Sequence, residues 1–347
     1  MAEPRIAVVG AGFAARVVHL PGYRASMAPV TAICDLDEAR ARALAKEYSI
    51  PHVYTDWRRM LAEVQPDIVS VGLPNVLHRE VTVAALEAGA HVLCEKPLAT
   101  SVAEAHEMFD AARRAGRVLM AAQHFRFEAG AQAIKRVVDS GALGQIYHAE
   151  AIAMRRMGIP TWGTFHQRAS SAGGCLLDIG VHMLDQTLWL MGNPTPVKVS
   201  AVTQQRFGRR PEIAAIMGNA WNPKLFDVED FAIAFVRFED GASLILRVCW
   251  ASHITDSRFS SQLLGTEGGA ITDPPTIYRL RDGMQVDEEF KNLPRFSGWE
   301  REIVHFLAVV RGDAEPLVKE EETLNVQRIL NAAYRSAEEG REVEVEG

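Results

Sequence analysis

A short glycine-rich loop near the start of the chain constrains the fold more than any other feature of the sequence. The apolar run Ile6–Val9 is followed by the loop G-A-G-F-A-A, which leads into a helical segment. A run that is apolar on both faces is typical of a strand buried in a parallel sheet. The next apolar run, Val30–Cys34, ends at Asp35, about 20 residues beyond the loop, which is the offset expected for a ribose-binding acid. This order of elements predicts a βαβ unit that holds a dinucleotide.

Each residue of the loop has a physical role in that prediction. Gly10 permits the tight turn, and Gly12 lets the backbone approach a pyrophosphate closely. We expect the pyrophosphate at the start of the helix, beside Phe13 and Ala14, where free N–H groups and the helix dipole favour an anion. Ala15 stands where a third glycine is common and still allows the helix to pack closely on the strand. A structural turn without a ligand is the alternative.

Asp35 determines which dinucleotide is expected. Its carboxylate is suited to accept hydrogen bonds from the 2′-hydroxyl of the adenosine ribose and would repel a 2′-phosphate. Leu36 follows it, rather than an arginine able to bind that phosphate. We therefore expect NAD as the cofactor, with NADP disfavoured. A capping role at the end of the strand is the alternative for Asp35.

The first third of the chain alternates between strands and helices. Apolar runs of strand length recur after Val30–Cys34, and helical segments of about ten residues separate them. The further predicted strands are Val53–Tyr54, Ile68–Val71, His91–Cys94 and Val118–Ala122. Six strands connected by helices predict an α/β domain over residues 1–123 with a doubly wound parallel sheet.

After residue 123 the pattern changes to longer strands, which include predicted strands over Ile146–Met154, Val197–Gln205 and Phe259–Leu264. Predicted strands over Val228–Phe238 and Ala242–Trp250 are joined by the hairpin signal Glu239-Asp240-Gly241, which indicates antiparallel pairing. Two helical segments complete the chain. Residues 124–347 are therefore predicted to form a second domain of the α+β class.

One strand of this second domain predicts an assembly. Both faces of Phe231–Val236 are apolar, whereas a sheet with one solvated face alternates polar and apolar residues. Helices can cover one face, and the other is expected to be buried in a homodimer or homotetramer. The alternative is that Gln205–Asp227 folds over that face within one chain.

Composition excludes several classes of protein. Lys and Arg number 37 against 44 Asp and Glu, a net charge of −7, and no basic run offsets it, so a nucleic-acid partner is not expected. No apolar run reaches the roughly 18–20 residues that span a bilayer, and the N-terminus lacks the pattern of a signal peptide. The four cysteines are scattered without a C-x-x-C pair. We therefore expect a cytoplasmic protein with reduced thiols and no membrane partner.

Two further segments carry side chains suited to catalysis. Glu95-Lys96-Pro97 follows the fifth predicted strand, at the edge of the sheet where ligands bind. Asp178 and His182 are four residues apart on a predicted helix and so share one face. A lysine, an aspartate and a histidine near a nicotinamide suit alcohol oxidation, because histidine can take the hydroxyl proton at neutral pH. The structural alternatives are a surface lysine, a capping aspartate and a core histidine; a metal at Asp178, His182 and Asp185 is not expected, because no further cluster has ligand spacing.

Taken together, these segments resemble the glucose–fructose oxidoreductase, inositol dehydrogenase and rhizopine-catabolism family, written Gfo/Idh/MocA. The resemblance covers essentially the whole chain. The matching motifs are the Gly10–Ala15 loop with His19, Pro74-Asn75-x-x-His78, Glu95-Lys96-Pro97, Arg126-Phe127, Gly173-Gly174 with Asp178-Ile179-Gly180-Val181-His182, Gly265-Thr266-Glu267-Gly268 and Ser336–Arg341. It implies a Rossmann domain followed by a domain with a large, open, mostly antiparallel sheet that pairs across subunits. It also implies NAD(P)-dependent oxidation or reduction of sugars and cyclic polyols.

The resemblance also implies roles for particular residues. Lys96, Asp178 and His182 match the catalytic set, in which His182 is the acid/base, Lys96 positions and polarises the reacting hydroxyl, and Asp178 orients its neighbours. The residues expected to contact the cofactor are Gly10, Gly12, Phe13, Ala14, Asp35, Pro74, Asn75, His78, Glu95 and Lys96. The candidates for substrate contact, chosen by position, are His124, Arg126, Arg156, Trp162, His166 and His182. Cys175 and His124 depart from the family pattern, where glycine and tyrosine are common, and both bear on the pocket.

Three functions remain open from the sequence. The leading hypothesis is an NAD-dependent dehydrogenase or reductase that acts on a pyranose, inositol or glycoside hydroxyl. A second keeps the cofactor but uses transient oxidation to cleave or epimerise a glycoside, and a third is a regulator that binds the dinucleotide without turnover. The intact set of Lys96, Asp178 and His182 favours an enzyme over a regulator.

Overall fold

The computed structural model describes residues 4–213 and 222–346. The chain forms two compact units, Met1–His124 with Phe296–Thr323 and Phe125–Arg295 with Leu324–Gly347. The α-helices are α1 (Leu20–Ala25), α2 (Glu38–Tyr48), α3 (Trp57–Val64), α4 (His78–Glu87), α5 (Val102–Ala115), α6 (Ala129–Asp139), α7 (Arg168–Ser171), α8 (Val181–Leu190), α9 (Gly298–Arg311) and α10 (Glu320–Glu339). The strands are β1 (Ile6–Val9), β2 (Val30–Cys34), β3 (His52–Tyr54), β4 (Ile68–Val71), β5 (His91–Cys94), β6 (Leu119–Ala121), β7 (Ile146–Met154), β8 (Pro196–Gln204), β9 (Phe231–Phe238), β10 (Ser243–Cys249), β11 (Arg258–Gly265), β12 (Gly268–Thr272), β13 (Pro275–Arg281), β14 (Met284–Glu289) and β15 (Val343–Glu344).

The first unit is built on a parallel sheet of six described strands in the order β3-β2-β1-β4-β5-β6. All residues of β1 and β4 are buried, which is why these strands are apolar without alternation. Helices α2, α3 and α5 begin at side-chain caps, because Asp37, Asp56 and Ser101 accept hydrogen bonds from N–H groups of the first turn. The predicted α/β fold with a doubly wound parallel sheet is confirmed.

Gly10 allows the ends of the central strands to approach one another. Its φ is +99°, and a Cβ at this position would lie 2.1 Å from the carbonyl oxygen of Gly72. Only glycine fits such a conformation and such a contact. Gly10 N donates to Cys34 O and Gly72 N donates to Val9 O, both at 2.8 Å. The loops after β1, β2 and β4 therefore start side by side at one edge of the sheet.

The segment Phe296–Thr323 belongs to the first unit, although it comes late in the chain. Its helix α9 packs on α1 so closely that a Cβ on Gly22 would lie 2.6 Å from Ile303 Cγ1. Ile303 and Phe306 on this helix have no exposed surface. The sequence pattern predicts one continuous second domain over residues 124–347. In the structure, Phe296–Thr323 belongs to the first unit instead, because the apolar face of α9 is buried there.

In the part of the chain that the structure describes, the second unit is built on a sheet in the order β14-β13-β12-β11-β7-β10-β9-β8-β15. Strands β7 and β10 pair in parallel, and the other neighbours are antiparallel. The predicted hairpin pairs Phe235 on β9 with Ile245 on β10. The expected mostly antiparallel sheet is confirmed, and strands β12, β13 and β14 have no counterpart in the sequence prediction.

One face of the second sheet is covered and the other is partly exposed. Along β9 the burial alternates, so that Ala232 is buried whereas Ile233 is 37% exposed. Val202 on β8, which pairs with Ile233, is also exposed. An apolar strip therefore lies on the open face. Within Gln205–Asp227, the alternative cover for this face, residues 214–221 lie outside the described residues.

Two further observations concern the expected environment of the protein. In residues 4–213 and 222–346, every helix lacks either the length or the apolar character needed to cross a bilayer. The four cysteines are buried free thiols. Burial raises the pKa of the Cys34 thiol to about 12, which fits a small buried side chain rather than a reactive nucleophile.

Candidate active site

The glycine loop after β1 faces open space. A Cβ added to Gly12 would meet no atom within 4 Å, so the backbone here is accessible to a ligand. The side chain of Phe13 is 51% exposed. Ala14 is the N-cap residue of a π-helical turn, Ala15–His19, that continues into α1. An open backbone at the start of a helical segment fits the pyrophosphate of a dinucleotide.

Asp35 fixes the shape of that loop. Its Oδ2 accepts a 2.7 Å hydrogen bond from Ala11 N, and its Oδ1 accepts a 2.8 Å bond from Asp37 N. Each oxygen of a carboxylate can accept two bonds, so Asp35 keeps acceptor capacity for a ribose hydroxyl. The same residue therefore holds the loop and is suited to bind the ribose.

One arginine near Asp35 has no counterpart in the sequence prediction. Arg40 Nη1 lies 3.9 Å from Asp35 Oδ2, and Arg40 Nη2 lies 3.1 Å from Asp37 Oδ2. A half-exposed guanidinium is suited to bind a phosphate. Arg40 therefore reduces the repulsion that Asp35 exerts on a 2′-phosphate. Arg40 could be found from the sequence by its position, because it lies on the first turn of α2, four residues after Leu36.

The motif Pro74–His78 begins where β4 ends. Pro74 is the N-cap residue of a 3-10 turn, Asn75–Leu77, which leads into α4. Asn75 at the start of this turn is buried. The motif thus lies at the same edge of the sheet as the glycine loop.

His78 has a structural role rather than the predicted contact with the cofactor. Its side chain has no exposed surface, and its Nδ1 and Nε2 lie 2.8 Å and 2.9 Å from the carbonyl oxygens of Pro97 and Leu73. Carbonyl oxygens only accept hydrogen bonds, so a protonated imidazole, with an N–H on each ring nitrogen, satisfies both contacts. Burial alone would lower the pKa of His78, but the neighbouring Cys94 and the two carbonyls raise it to about 9. His78 joins the loop after β4 to the loop after β5.

Glu95 and Lys96 follow β5 at this edge. Glu95 Oε1 lies 3.2 Å from His19 Nε2. Burial alone would raise the pKa of Glu95, but His19 and Lys96 hold it below its usual value. An ionised carboxylate therefore lies next to Lys96 in the chain.

His124 is the last residue of the first segment of the first unit. Its ring lies against that of Trp299, with a centroid distance of 5.1 Å. Burial lowers the pKa of His124 to about 3. The ring is therefore neutral at physiological pH and is suited to hydrogen bonding rather than to binding an anion.

Asp178 and His182 lie on one helical segment of the second unit. Asp178 is part of a π-helical turn, Leu176–Gly180, which continues into α8, and His182 is the second residue of α8. Trp250 Nε1 donates a 2.8 Å hydrogen bond to Asp178 Oδ2. The indole of Trp250 is fully buried, so it fixes the orientation of this carboxylate. Single π-turns inside helices occur frequently at functional sites.

An aromatic wall, Phe125 and Phe259, adjoins His182. The ring of Phe125 lies 5.2 Å from that of His182 and 6.1 Å from that of Phe259. The guanidinium carbon of Arg155 lies 5.6 Å from the Phe259 ring. Phe125 and Phe259, like Trp250, are absent from the sequence prediction. Phe125 could be found from its place between the candidates His124 and Arg126, whereas Phe259 and Trp250 give no local signal.

Arg126 was predicted to contact the substrate, but in the structure it binds a buried carboxylate. Its guanidinium has no exposed surface and forms two hydrogen bonds, of 2.7 Å and 2.6 Å, with the carboxylate of Asp185. Such a buried pair is held within the protein and is not available to a sugar. Within residues 4–213 and 222–346, no group of three or more His, Cys, Asp and Glu side chains is placed to hold a metal ion.

The other substrate candidates lie on the loop after β7. Arg156 Nη1 donates a 2.7 Å bond to Thr255 O. His166 is buried, and burial lowers its pKa. Trp162 is 45% exposed and therefore offers the largest accessible apolar surface of these three.

The fold and these residues define an NAD-binding oxidoreductase, and comparison with known proteins agrees. Residues 4–123 match the Gfo/Idh/MocA oxidoreductase family, NAD-binding Rossmann fold. Residues 135–345 match the C-terminal α/β domain of the same oxidoreductase family. The chain belongs to this family, which confirms the resemblance and the expected enzyme class.

Similar proteins of known activity act on sugars and related compounds. The chain is 35% identical to D-glucoside 3-dehydrogenase of Escherichia coli (strain K12) over 343 residues, 98% of this chain and 97% of that protein. It is 29% identical to 1,5-anhydro-D-fructose reductase of Ensifer adhaerens over 356 residues, 99% of this chain and 98% of that protein. The crystal structure of GenD2 from gentamicin A biosynthesis in complex with NAD is similar with a TM-score of 0.81 at 26% identity, covering 100% of this chain and 98% of that one.

We predict that NAD binds more tightly than NADP, because Asp35 disfavours the 2′-phosphate. The affinity for NAD should exceed that for NADP by roughly tenfold or more, since one unfavourable contact with a partly buried charge costs about 1–3 kcal/mol. Asp35→Ser should narrow the ratio, and Arg40→Ala should widen it by weakening NADP. Isothermal titration calorimetry measures the affinities for NAD and NADP in the wild type and in each variant. Equal affinities in the wild type would refute the role of Asp35, and an unchanged ratio in Arg40→Ala would refute that of Arg40.

We also predict a pH-dependent contribution of His78 to stability. Because the pKa of His78 is raised to about 9 in the folded protein, its contribution is fully present below the unfolded value near 6.5 and is lost as the pH rises through 9. His78→Gln should lower the free energy of unfolding of the first unit by roughly 1–3 kcal/mol at pH 6 and much less at pH 9.5. Urea unfolding at both pH values measures this difference. A loss of equal size at the two pH values would contradict a protonated His78.

Proposed function

We propose that this protein is an NAD-dependent dehydrogenase that oxidises a ring hydroxyl of a sugar or glycoside. The observation that carries the proposal is its full-length similarity, at 35% identity, to D-glucoside 3-dehydrogenase of Escherichia coli. The chain also contains the side chains that this reaction needs. Lys96 belongs to the first unit, and Asp178 and His182 belong to the second. The 3-hydroxyl of a glucoside is therefore the first hydroxyl to test.

Oxidation of a secondary alcohol removes a hydride from carbon and a proton from oxygen. NAD, when bound, supplies the nicotinamide ring that accepts the hydride. We assign the proton to the imidazole of His182, since histidine changes its charge near neutral pH and suits general base catalysis. Asp178, whose carboxylate is held by Trp250, orients the neighbouring groups. The reverse transfer, from His182 to the oxygen, serves the reduction.

Lys96 acts on the oxygen of the same hydroxyl. Its ammonium group polarises the O–H bond and stabilises negative charge that develops on the oxygen as the proton leaves. The ionised Glu95 beside it balances the charge of Lys96 and is itself held by His19. Gly10, Gly12, Phe13, Ala14 and Asp35 would hold the pyrophosphate and adenosine ribose of the cofactor, with Pro74, Asn75 and Glu95 at the same edge of the sheet.

The substrate class also follows from the aromatic surfaces. We propose that Phe125 and Trp162 contact the apolar C–H face of a sugar ring, which aromatic rings bind well. His124, Arg156 and His166 are the candidates for hydrogen bonds to hydroxyls. Cyclic polyols such as inositols present the same combination of hydroxyls and C–H bonds.

We further propose a cytoplasmic location and a homodimer or homotetramer. The location is supported by four free, buried cysteines, which are typical of a reducing compartment. The assembly is supported by the apolar strip that includes Val202 and Ile233 on the second sheet.

The function is tested by measuring NADH production with a panel of glucosides, free hexoses, inositols and nucleotide sugars. Stoichiometric NADH with a glucoside or another sugar supports the proposal. Catalytic turnover without net NADH would instead indicate cleavage or epimerisation by transient oxidation. Binding of NAD without turnover of any sugar would indicate a regulator.

We predict that His182→Ala lowers kcat by roughly 10²–10⁴-fold, the usual contribution of a general base. Lys96→Ala should also lower kcat. The affinity for NAD should change little in His182→Ala, because the loop expected to bind the pyrophosphate belongs to the first unit. Steady-state kinetics from pH 6 to 9 and calorimetry measure these quantities. A kcat near that of the wild type across this range would exclude the proposed role of His182.

We predict that the protein in solution is larger than the 38.2 kDa of one chain. Burial of the apolar strip on the second sheet between copies provides the stabilisation. Light scattering at micromolar concentration measures the mass, and Ile233→Lys should shift it towards the monomer. A mass near that of one chain, unchanged by a tenfold rise in concentration, would rule the assembly out.

A further inference from the structure

Glu229 binds three consecutive N–H groups at the start of the π-helical turn of the second unit. Gly174 N lies 2.9 Å from both carboxylate oxygens of Glu229. Cys175 N donates to the backbone carbonyl of Glu229 at 3.1 Å, and Leu176 N donates to its Oε1 at 3.0 Å. Glu229 therefore holds the backbone of this helical segment at its first residues, although it is more than fifty positions away in the sequence.

Glu229 is a buried carboxylate with a second side-chain partner. Only 5% of its surface is exposed, and Tyr334 Oη on α10 donates a 2.7 Å hydrogen bond to its Oε1. These partners, the phenol and the N–H groups, all donate, so they favour the ionised carboxylate. Burial holds the pKa of Glu229 above its usual value, although Tyr334 and the N–H groups oppose that rise. Helix starts are usually capped by a neighbouring Ser, Thr, Asp or Asn, which does not require a buried charge.

The two glycines before this segment are explained by the same pair. A Cβ on Gly173 would lie 2.1 Å from Tyr334 Oη, and a Cβ on Gly174 would lie 1.9 Å from the carbonyl oxygen of Glu229. Any larger residue at either position would push the segment away from Glu229 and Tyr334. The Gly-Gly motif is therefore a requirement of this contact.

Asp178 in the π-helical turn is connected to Asp230, the neighbour of Glu229, through Trp250. Trp250, whose indole binds Asp178, donates its backbone N–H to Asp230 O at 2.9 Å. Residues 229–230, just before β9, therefore contact both ends of this arrangement. Glu229 binds the first N–H groups of the segment, and Asp230 binds the backbone of Trp250, whose indole holds the carboxylate of Asp178. A π-turn has a wider hydrogen-bonding ring than an α-helix and is uncommon, so bonds from outside the helix help to keep its register.

From this geometry we propose that Glu229, acting with Tyr334, is a positioning residue that sets the register of the segment carrying Asp178 and His182. The inference rests on the proposed function, since it concerns the orientation of groups assigned to catalysis. Glu229 and Tyr334 act through the helix and do not themselves touch the substrate.

The test uses two variants that preserve shape and one control. Glu229→Gln removes the charge and replaces one acceptor oxygen by an amide that donates. Tyr334→Phe removes one hydrogen bond and keeps the ring. The control is Ser336→Ala on the same helix, which removes a buried hydroxyl that bonds to Ala201 N at 2.9 Å and Arg341 O at 2.6 Å.

We expect Glu229→Gln to lower kcat by roughly 10–100-fold, because small displacements of catalytic groups have effects of this size. KM for the sugar should change less than twofold, and NAD affinity should be unchanged. Tyr334→Phe should have a smaller effect of the same kind, and the double variant should lose no more than Glu229→Gln alone, because Tyr334 acts through Glu229. The imidazole resonance of His182, assigned with His182→Ala, should shift in both variants. Ser336→Ala should leave kcat and this resonance unchanged, even where its melting temperature falls.

Two outcomes would overturn the inference. One is an unchanged kcat and an unchanged His182 resonance in folded Tyr334→Phe, which stays informative where Glu229→Gln does not fold. The other is a loss of activity in Ser336→Ala equal to that in Tyr334→Phe, which would indicate general destabilisation. If His182→Ala retains full activity, the proposed catalytic role fails instead, and the resonance shifts still report whether Glu229 positions this segment.

Discussion

A buried ion pair between Arg126 and Asp185 holds together the surroundings of His182. Neither side chain has exposed surface, so removal of one partner would leave an unpaired charge in the interior at a cost of about 3–5 kcal/mol. Asp185 lies on α8, one turn after His182, and Gln186 beside it donates a 2.9 Å bond to Phe125 O. The helix that carries His182 thus fixes the backbone of the residue whose ring packs against it. The position of the Phe125 ring therefore depends on a hydrogen bond from α8 to its own backbone.

The first unit uses side chains in a comparable way to hold its loops. Asp35 bonds the glycine loop to the end of β2, and His78 joins the loops that follow β4 and β5. Each of these residues satisfies backbone groups that strand ends leave without partners. A residue that a motif suggests as a ligand can therefore also hold the scaffold, as both Asp35 and His78 do.

The sequence predicted the parts of the fold that depend on local pattern. Strand β1, the glycine loop and Asp35 were found because a buried parallel strand, a tight turn and an acid at a fixed offset are all local signals. Strand β12 was missed because it begins with two glycines, and β14 was missed because its sequence, M-Q-V-D-E-E, is mostly polar. Arg126 was misinterpreted because a charged residue near a motif has the same sequence signal whether it binds a ligand or a buried partner. Glu229 and Trp250 act on residues more than fifty positions away, which no local pattern reveals.

The order of the second sheet has a consequence for how the protein avoids misassembly. An edge strand offers unpaired backbone groups to other chains, and a large sheet with two free edges can grow into fibres. Among the described residues, one edge is β14, which carries the charged side chains Asp287, Glu288 and Glu289, and the other is β15, which has two residues. Strand addition at either edge is therefore opposed by charged side chains or by the shortness of the strand. The sheet can present a broad open face to other molecules without inviting aggregation through its edges.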